Sequence, residues 1–347
     1  MRFLSEGIDV ADYHAAVELF FERGWTDGLA VVPPTEGLVE AMVCASGREP
    51  HEEVGEIPPA LGIATIEKLA INSVMAGCRP AYFPIIIAAV EAMLEPEHNL
   101  NGVQTTTHCC VPLVILNGPI AGELKFNAGD GVFGGGYRAN GTVGRAIRLI
   151  LWNLGGNVPG EVDKSTQAHP GKWSYCIAEK EDANPWEPLH VERGVSQGKN
   201  AVTVFSCEAP HSVLCYGTVR QMLMSLVSSL TSLGSNNVHA MGETLVVLNP
   251  WQARQFHKEG WSKQDIKIYL WEHARAPVGQ IKAADAIGMG GQFWPKWVDV
   301  ENPNFLVPVT ARPEDIHLMV AGGDTYFAAV CPGWGGLGGF AVTKEVI

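Results

Sequence analysis

The sequence has no C-x-x-C pair, no long apolar run and few basic side chains. Eight cysteines scattered over 347 residues, without paired spacing, exclude a zinc knuckle, a thioredoxin-type redox motif and a disulfide framework. No apolar stretch reaches the roughly 18 residues that a spanning helix needs, and Tyr82 to Leu94, the longest candidate, is interrupted by Glu91, so a buried helix is expected there and no membrane partner. Lys and Arg total 24 against 37 Asp and Glu, a formal charge of −13, which argues against a nucleic-acid or anionic-membrane partner. The opening residues carry Arg2, Glu6 and Asp9 and no apolar h-region. No secretory signal is therefore expected, and a reducing, cytoplasmic setting is.

What is present belongs to a folded α/β chain. Hydrophobic residues make up 46% and charged residues 18%, enough to bury a large core. The pattern predicts mixed or parallel sheets flanked by helices around a central pocket. It divides into a first α/β half over 1–160, a lid or insertion over 161–200, and a second α/β half over 201–347. Helices are expected over Asp9–Gly24, Thr65–Cys78, Asn140–Leu154 and Gln221–Leu233, and strands over 27–35, Val111–Leu116, Ala201–Cys207, Thr244–Leu248, Ile316–Val320 and Tyr326–Val330. The proline-bearing stretch Gly47–Leu61 reads as a surface loop. Leu113–Asn117 (LVILN) and Leu245–Asn249 (LVVLN) look alike, and each has a histidine five or six residues upstream, His108 and His239. Chance recurrence of an apolar strand and duplication of a β-α unit both remain open.

The chemistry concentrates between Thr105 and Gly156. His108, Cys109 and Cys110 precede an apolar strand, a glycine-rich loop follows it, and Arg145 and Arg148 lie on the next helix. One reading takes Cys78, Cys109 or Cys110 as a nucleophilic thiolate, with His108, His211 or His239 as base. Cys78 beside Arg79 at a helix start has two reasons for a lowered thiol pKa. Adjacent side chains diverge on an extended segment, so His108 is not expected to reach Cys109 directly. A second reading gathers His108, His211 and His239 around a first-row transition metal, with Glu208, Cys109 or Cys110 as additional ligands. Anion-holding groups are expected in Arg79, Lys125, Asn127, Arg138, Asn140 and Arg145, because a guanidinium can grip a carboxylate in a fork. The G-x-G-x-x-G at Gly129, Gly131 and Gly134 does not sit directly between a strand and a helix, so no NAD site is predicted.

The stretches Trp25–Glu36 (WTDGLAVVPPTE), Ala76–Pro80 (AGCRP), Tyr137–Asn140 (YRAN) and Val320–Gly323 (VAGG) resemble the large domain of the UGSC-like family of (seleno)proteins, over about Trp25 to Val346. The resemblance implies that Cys78, His108, Arg138 and His211 stand where that family's polar motifs stand. The Sec/Cys-Gly-Ser-Cys motif that gives the family its name and its thiol-oxidoreductase label is missing, which removes the main warrant for redox chemistry. The family pattern also has other residues where Cys109 and Cys110 sit. The expectation is an enzyme acting on a small anionic carboxylate or phosphate metabolite by cysteine or histidine chemistry. Its rivals are a metal-dependent lyase, hydrolase or oxidoreductase and a noncatalytic small-molecule or metal-binding protein. Ten tryptophans without common spacing read as core or interface, and a homo-oligomer is expected.

Overall fold

The computed structural model describes residues 1–284 and 294–347. Twelve strands are described: β1 (Glu53–Ile57), β2 (Gly62–Thr65), β3 (Val111–Asn117), β4 (Cys176–Ala178), β5 (Ala201–Cys207), β6 (His211–Leu214), β7 (Thr244–Leu248), β8 (Arg275–Pro277), β9 (Leu306–Pro308), β10 (Ile316–Val320), β11 (Phe327–Pro332) and β12 (Val342–Glu345). β1–β2 and β8–β9 are small antiparallel ribbons. The rest form two four-stranded mixed sheets, ordered β12-β5-β3-β4 and β10-β7-β11-β6. The chain is therefore α/β with mixed sheets flanked by helices. Among the described residues, no helix is long and apolar enough to cross a membrane.

Strand periodicity decides the layering. Along β3, Val111, Leu113 and Ile115 enter the core between the sheets, while Val114 and Leu116 face a helical layer. Along β7, Leu245 and Val247 enter the same inter-sheet core, and Val246 and Leu248 face a second helical layer. Both faces of each central strand are buried, which is why both sequences are continuously apolar rather than alternating. The order is helices, sheet, sheet, helices. Phe83–Met93 packs on β5 and β12, and Val219–Leu230 packs on β11 and β6. Arg138–Asn153 carries the crossover from β3 to its parallel neighbour β4; its inward stripe of Ala139, Val143, Ala146, Ile147 and Ile150 matches the helical period.

The two sheets share one connectivity. β3 has β4 parallel on one side and β5 antiparallel on the other, with β12 antiparallel beyond β5. β7 has β10 parallel, β11 antiparallel, and β6 antiparallel beyond β11. The edge strands are exchanged: the chain leaves β5 of the first sheet to become the edge of the second, and leaves β11 of the second to become the edge of the first. At the crossing, Cys207 and Gly333 form an isolated antiparallel bridge. Glu208 N donates to Pro332 O at 2.8 Å, and Trp334 N donates to Ser206 O at 3.2 Å.

Several sequence expectations change. The stretch 27–35 forms no strand, because Pro33 and Pro34 have no N–H to give a ladder; only Val32 N reaches Met75 O. The Gly47–Leu61 loop contains β1, paired with β2. The first sheet draws on β4 from within 161–200 and on β12 from the C-terminal region, so sheet membership cuts across the 1–160, 161–200 and 201–347 division.

Backbone contact at the crossing gives a direct test. A Cβ on Gly333 would lie 2.3 Å from Glu243 O and 3.0 Å from the Phe205 ring, whereas one on the exposed helical Gly141 meets nothing within 4 Å. Gly333→Ala is expected to destabilise by about 1–3 kcal/mol through overpacking, and Gly141→Ala to stabilise by roughly 0.5–1 kcal/mol. Urea unfolding midpoints measure both, and equal effects would contradict the packing described.

Candidate functional site

The segment Thr106–Cys110 leads into β3, and Glu208 follows the last residue of β5, its antiparallel neighbour. The chain bends at Thr107 and His108 rather than running extended. This bend overturns the expected divergence of His108 and Cys109. His108 Nε2 lies 2.8 Å from Glu208 Oε1, and one ligand atom from each of His108, Cys109 and Glu208 lies within 4.8 Å of the others. All three are partly buried.

Both arms of the cluster are held by their backbones. Thr106 Oγ1 accepts His108 N–H at 3.1 Å and also the Trp334 indole N–H at 3.1 Å. Ser165 Oγ donates to His108 O at 3.0 Å, and Thr166 N donates to Thr107 O at 2.9 Å. On the other arm, the Tyr175 hydroxyl donates to Glu208 O at 2.9 Å while Glu208 N is tied to Pro332. Supporting groups of this kind fix donors to within fractions of an ångström. His108 Nδ1 is buried without a partner. Burial, then the charge of Glu208, pushes the Cys109 thiol up from its ordinary value.

Next to the cluster lies a cleft of about 750 Å³ whose lining includes Asp27, Arg148, Asp163, Ser165, His169 and Lys172, with Phe21, Trp152 and Trp173 as aromatic walls. Lys172 Nζ meets Asp163 Oδ2 at 2.7 Å. Burial and then the Arg148 charge lower the Lys172 pKa, Asp163 opposing them. Burial tends to raise the Asp163 carboxyl, but the Lys172 contact prevails and holds it below its usual range. Arg148 is buried, which lowers it to about 10; it donates from Nε to Lys172 O at 3.1 Å and from Nη2 to Asn157 Oδ1 at 2.7 Å. Burial lowers His169 to about 4.

The structure redistributes the expected site residues. His211 lies exposed on the edge strand β6, and His239 sits in the short helix Asn236–Ala240, where its carbonyl accepts the Trp294 indole N–H at 2.8 Å. Neither belongs to the three-donor group found among the described residues, so the three-histidine metal site is not formed. Cys78 is buried and donates to Thr142 O; burial pushes its thiol up to about 12, the reverse of the expected lowering, because Arg79 points to solvent. Cys110 is fully buried, and its thiol is likewise pushed up.

The expected anion-binding residues have structural partners instead. Arg145 grips Asp27 at 2.9 and 2.7 Å. Arg138 donates twice to Gly77 O. Asn127 and Asn140 brace the glycine loop: Asn127 N donates to Asn140 Oδ1 at 2.8 Å, and Asn140 Nδ2 returns to Asn127 O at 3.1 Å. Lys125 is exposed, and none of these four nor Arg79 and Lys125 lines the cleft. Sequence reasoning missed His169, Lys172 and Asp163, which line the cleft. Their clustering with Ser165 in one short polar passage was the available signal.

No known family model and no curated protein matches the chain.

Thiol burial predicts the labelling pattern. In the folded protein at mildly alkaline pH, the exposed Cys44 should react with iodoacetamide first, half-buried Cys109 more slowly, and Cys78 and Cys110 only after denaturation. Mass spectrometry of timed samples checks this, and rapid labelling of Cys78 would contradict it.

Proposed function

We propose that the protein is a metal-dependent enzyme whose centre is held by His108, Cys109 and Glu208. The observation that carries this reading is the convergence of an imidazole, a thiol and a carboxylate from two segments 100 residues apart in sequence. Nitrogen, sulfur and oxygen donors together suit zinc or a neighbouring first-row metal, and three protein ligands leave a position open for water or substrate. Two potential anions, Cys109 and Glu208, stand side by side with little besides Lys172 to offset them. A cation between them removes that repulsion, and metal binding deprotonates a thiol that burial otherwise keeps protonated.

Such an ion would supply Lewis-acid polarisation of a bound oxygen or a bound water of lowered pKa. The chain's own part is positional. Thr106 and Ser165 hold the His108 backbone, Tyr175 holds that of Glu208, and the partial burial of all three donors limits water. Hydrolase and lyase chemistry both fit this description.

A second reading is supported by the 2.8 Å His108–Glu208 contact itself: a carboxylate-buttressed histidine acting as general acid or base without metal, beside the Cys109 thiol. Metal content separates the two. Protein purified without tag or chelator should carry close to one transition-metal ion per chain by elemental analysis. His108→Ala and Glu208→Gln should each weaken binding by more than the roughly 10- to 100-fold that loss of a ligand's hydrogen-bond partner costs. His211→Ala and His239→Ala should leave it intact. A chain that stays metal-free after incubation with zinc, manganese, iron and cobalt would leave the acid/base reading in place.

A further inference from the structure

The strands at the ends of the two four-stranded sheets are β12, β4, β10 and β6. An edge strand turns free N–H and C=O groups outward, and such an edge is normally covered, charged or paired. Every residue of β4 and of β10 is buried, so other parts of the chain cover those two. β12 carries Lys344 and Glu345, which meet Glu95 and Lys199. β6 has neither device. Its residues are His211, Ser212, Val213 and Leu214, without an acidic group, a lysine, an arginine or a proline, and all but Val213 are exposed.

The strand register shows which groups are free. Leu214 stands opposite Phe327 and Val213 opposite Ala328. One step further along, Cys215 N donates to Tyr326 O at 2.8 Å. Hydrogen-bonded pairs alternate along an antiparallel ladder, so Cys215, Val213 and His211 bond β11, while Ser212 and Leu214 direct their N–H and C=O away from it. Among the described residues, nothing bonds those four groups. The side chains beside the edge are apolar and open to solvent: Leu214 is 62% exposed, Tyr216 57%, Phe327 53% and Tyr326 51%. Tyr216, Trp251 and Tyr326 pack against one another, with the two tyrosine ring centroids 4.5 Å apart. At that separation the rings touch and enclose no ligand; exposed aromatic clusters of this kind are what protein interfaces use.

We infer that β6 is a dimer edge, where a second copy of this chain pairs antiparallel through Ser212 and Leu214 and joins two β10-β7-β11-β6 sheets into one. The occupant is a second copy because the edge complements itself. A half-turn about an axis through Val213, perpendicular to the sheet, sets Ser212 against the second copy's Leu214, so that each outward donor meets an outward acceptor. The rotation keeps every side chain on its own face. The two Leu214 side chains therefore meet diagonally, each flanked by its own Phe327. No charged residue on the strand opposes this register.

The test is the mass of the full chain by light scattering after gel filtration at micromolar concentration. The unaltered protein should run at twice its chain mass of 37.3 kDa. Ser212→Pro removes an outward N–H that the protomer's own ladder does not use, and Leu214→Lys places a charge on each side of the axis. Each should weaken the dimer by about tenfold or more, since every loss is counted twice across the axis. Leu38→Lys, at another exposed leucine on the helix Glu36–Ser46, should leave the mass unchanged. Hydrogen exchange of the unaltered protein needs no variant to fold: the amides of Ser212 and Leu214 should be protected at high concentration and exchange faster on dilution. A dimer that both Ser212→Pro and Leu214→Lys retain, or exchange at 211–216 that ignores concentration, would overturn the inference. So would a monomer, which would leave the edge to an extended segment of a different protein.

Discussion

The structure depends on the backbone crossing at Cys207 and Gly333. There β5 and β11, one from each sheet, touch in antiparallel fashion before each continues as the other sheet's edge. Neither sheet is complete without the other's strand. The exchange ties the two sheets by main-chain hydrogen bonds, which side-chain substitution does not remove, and it fixes where Glu208 emerges. Glycine is needed at 333 because a side chain would meet Glu243 O. The site geometry follows from this constraint: the bond from Glu208 N to Pro332 O belongs to the crossing and sets the carboxylate against the β3 entrance.

The shared connectivity also shows why the site is one-sided. Along the matched ladders Leu113 opposes Phe205 and Leu245 opposes Cys331, so Cys207 corresponds to Gly333 and Glu208 to Trp334. The position that carries the carboxylate in one sheet carries an indole in the other. That indole reaches back to Thr106, the hydroxyl that also holds the His108 N–H. One half therefore presents the donors and the other half supports them. His239 falls one residue out of step with His108 and lies apart from the donor group.

Much of the fold was legible because both central strands are buried on both faces, which leaves continuous apolar runs at 111–116 and 245–248. The likeness of LVILN and LVVLN left chance and duplication both open, and it is the strand pairing that gives β3 and β7 related surroundings. The exchange of β6 and β12 was not legible, since both are short edge strands with mostly exposed or half-buried residues. His108 and Cys109 stood out in the sequence as candidate chemical groups before a strand, though not as a pair in contact. Their proximity to Glu208 was not legible, because it depends on a bend at Thr107–His108 and on pairing across 100 residues. The arginines misled for a related reason: sequence shows that Arg145 is cationic but not that Asp27 folds against it.

The central claim is that His108, Cys109 and Glu208 share one ion. The most direct measurement is the absorption spectrum of the chelator-treated protein as cobalt(II) is added. Coordination by Cys109 predicts a thiolate-to-cobalt charge-transfer band that saturates at one equivalent and disappears in Cys109→Ser. A protein that shows no such band, or keeps it in Cys109→Ser, would contradict the account.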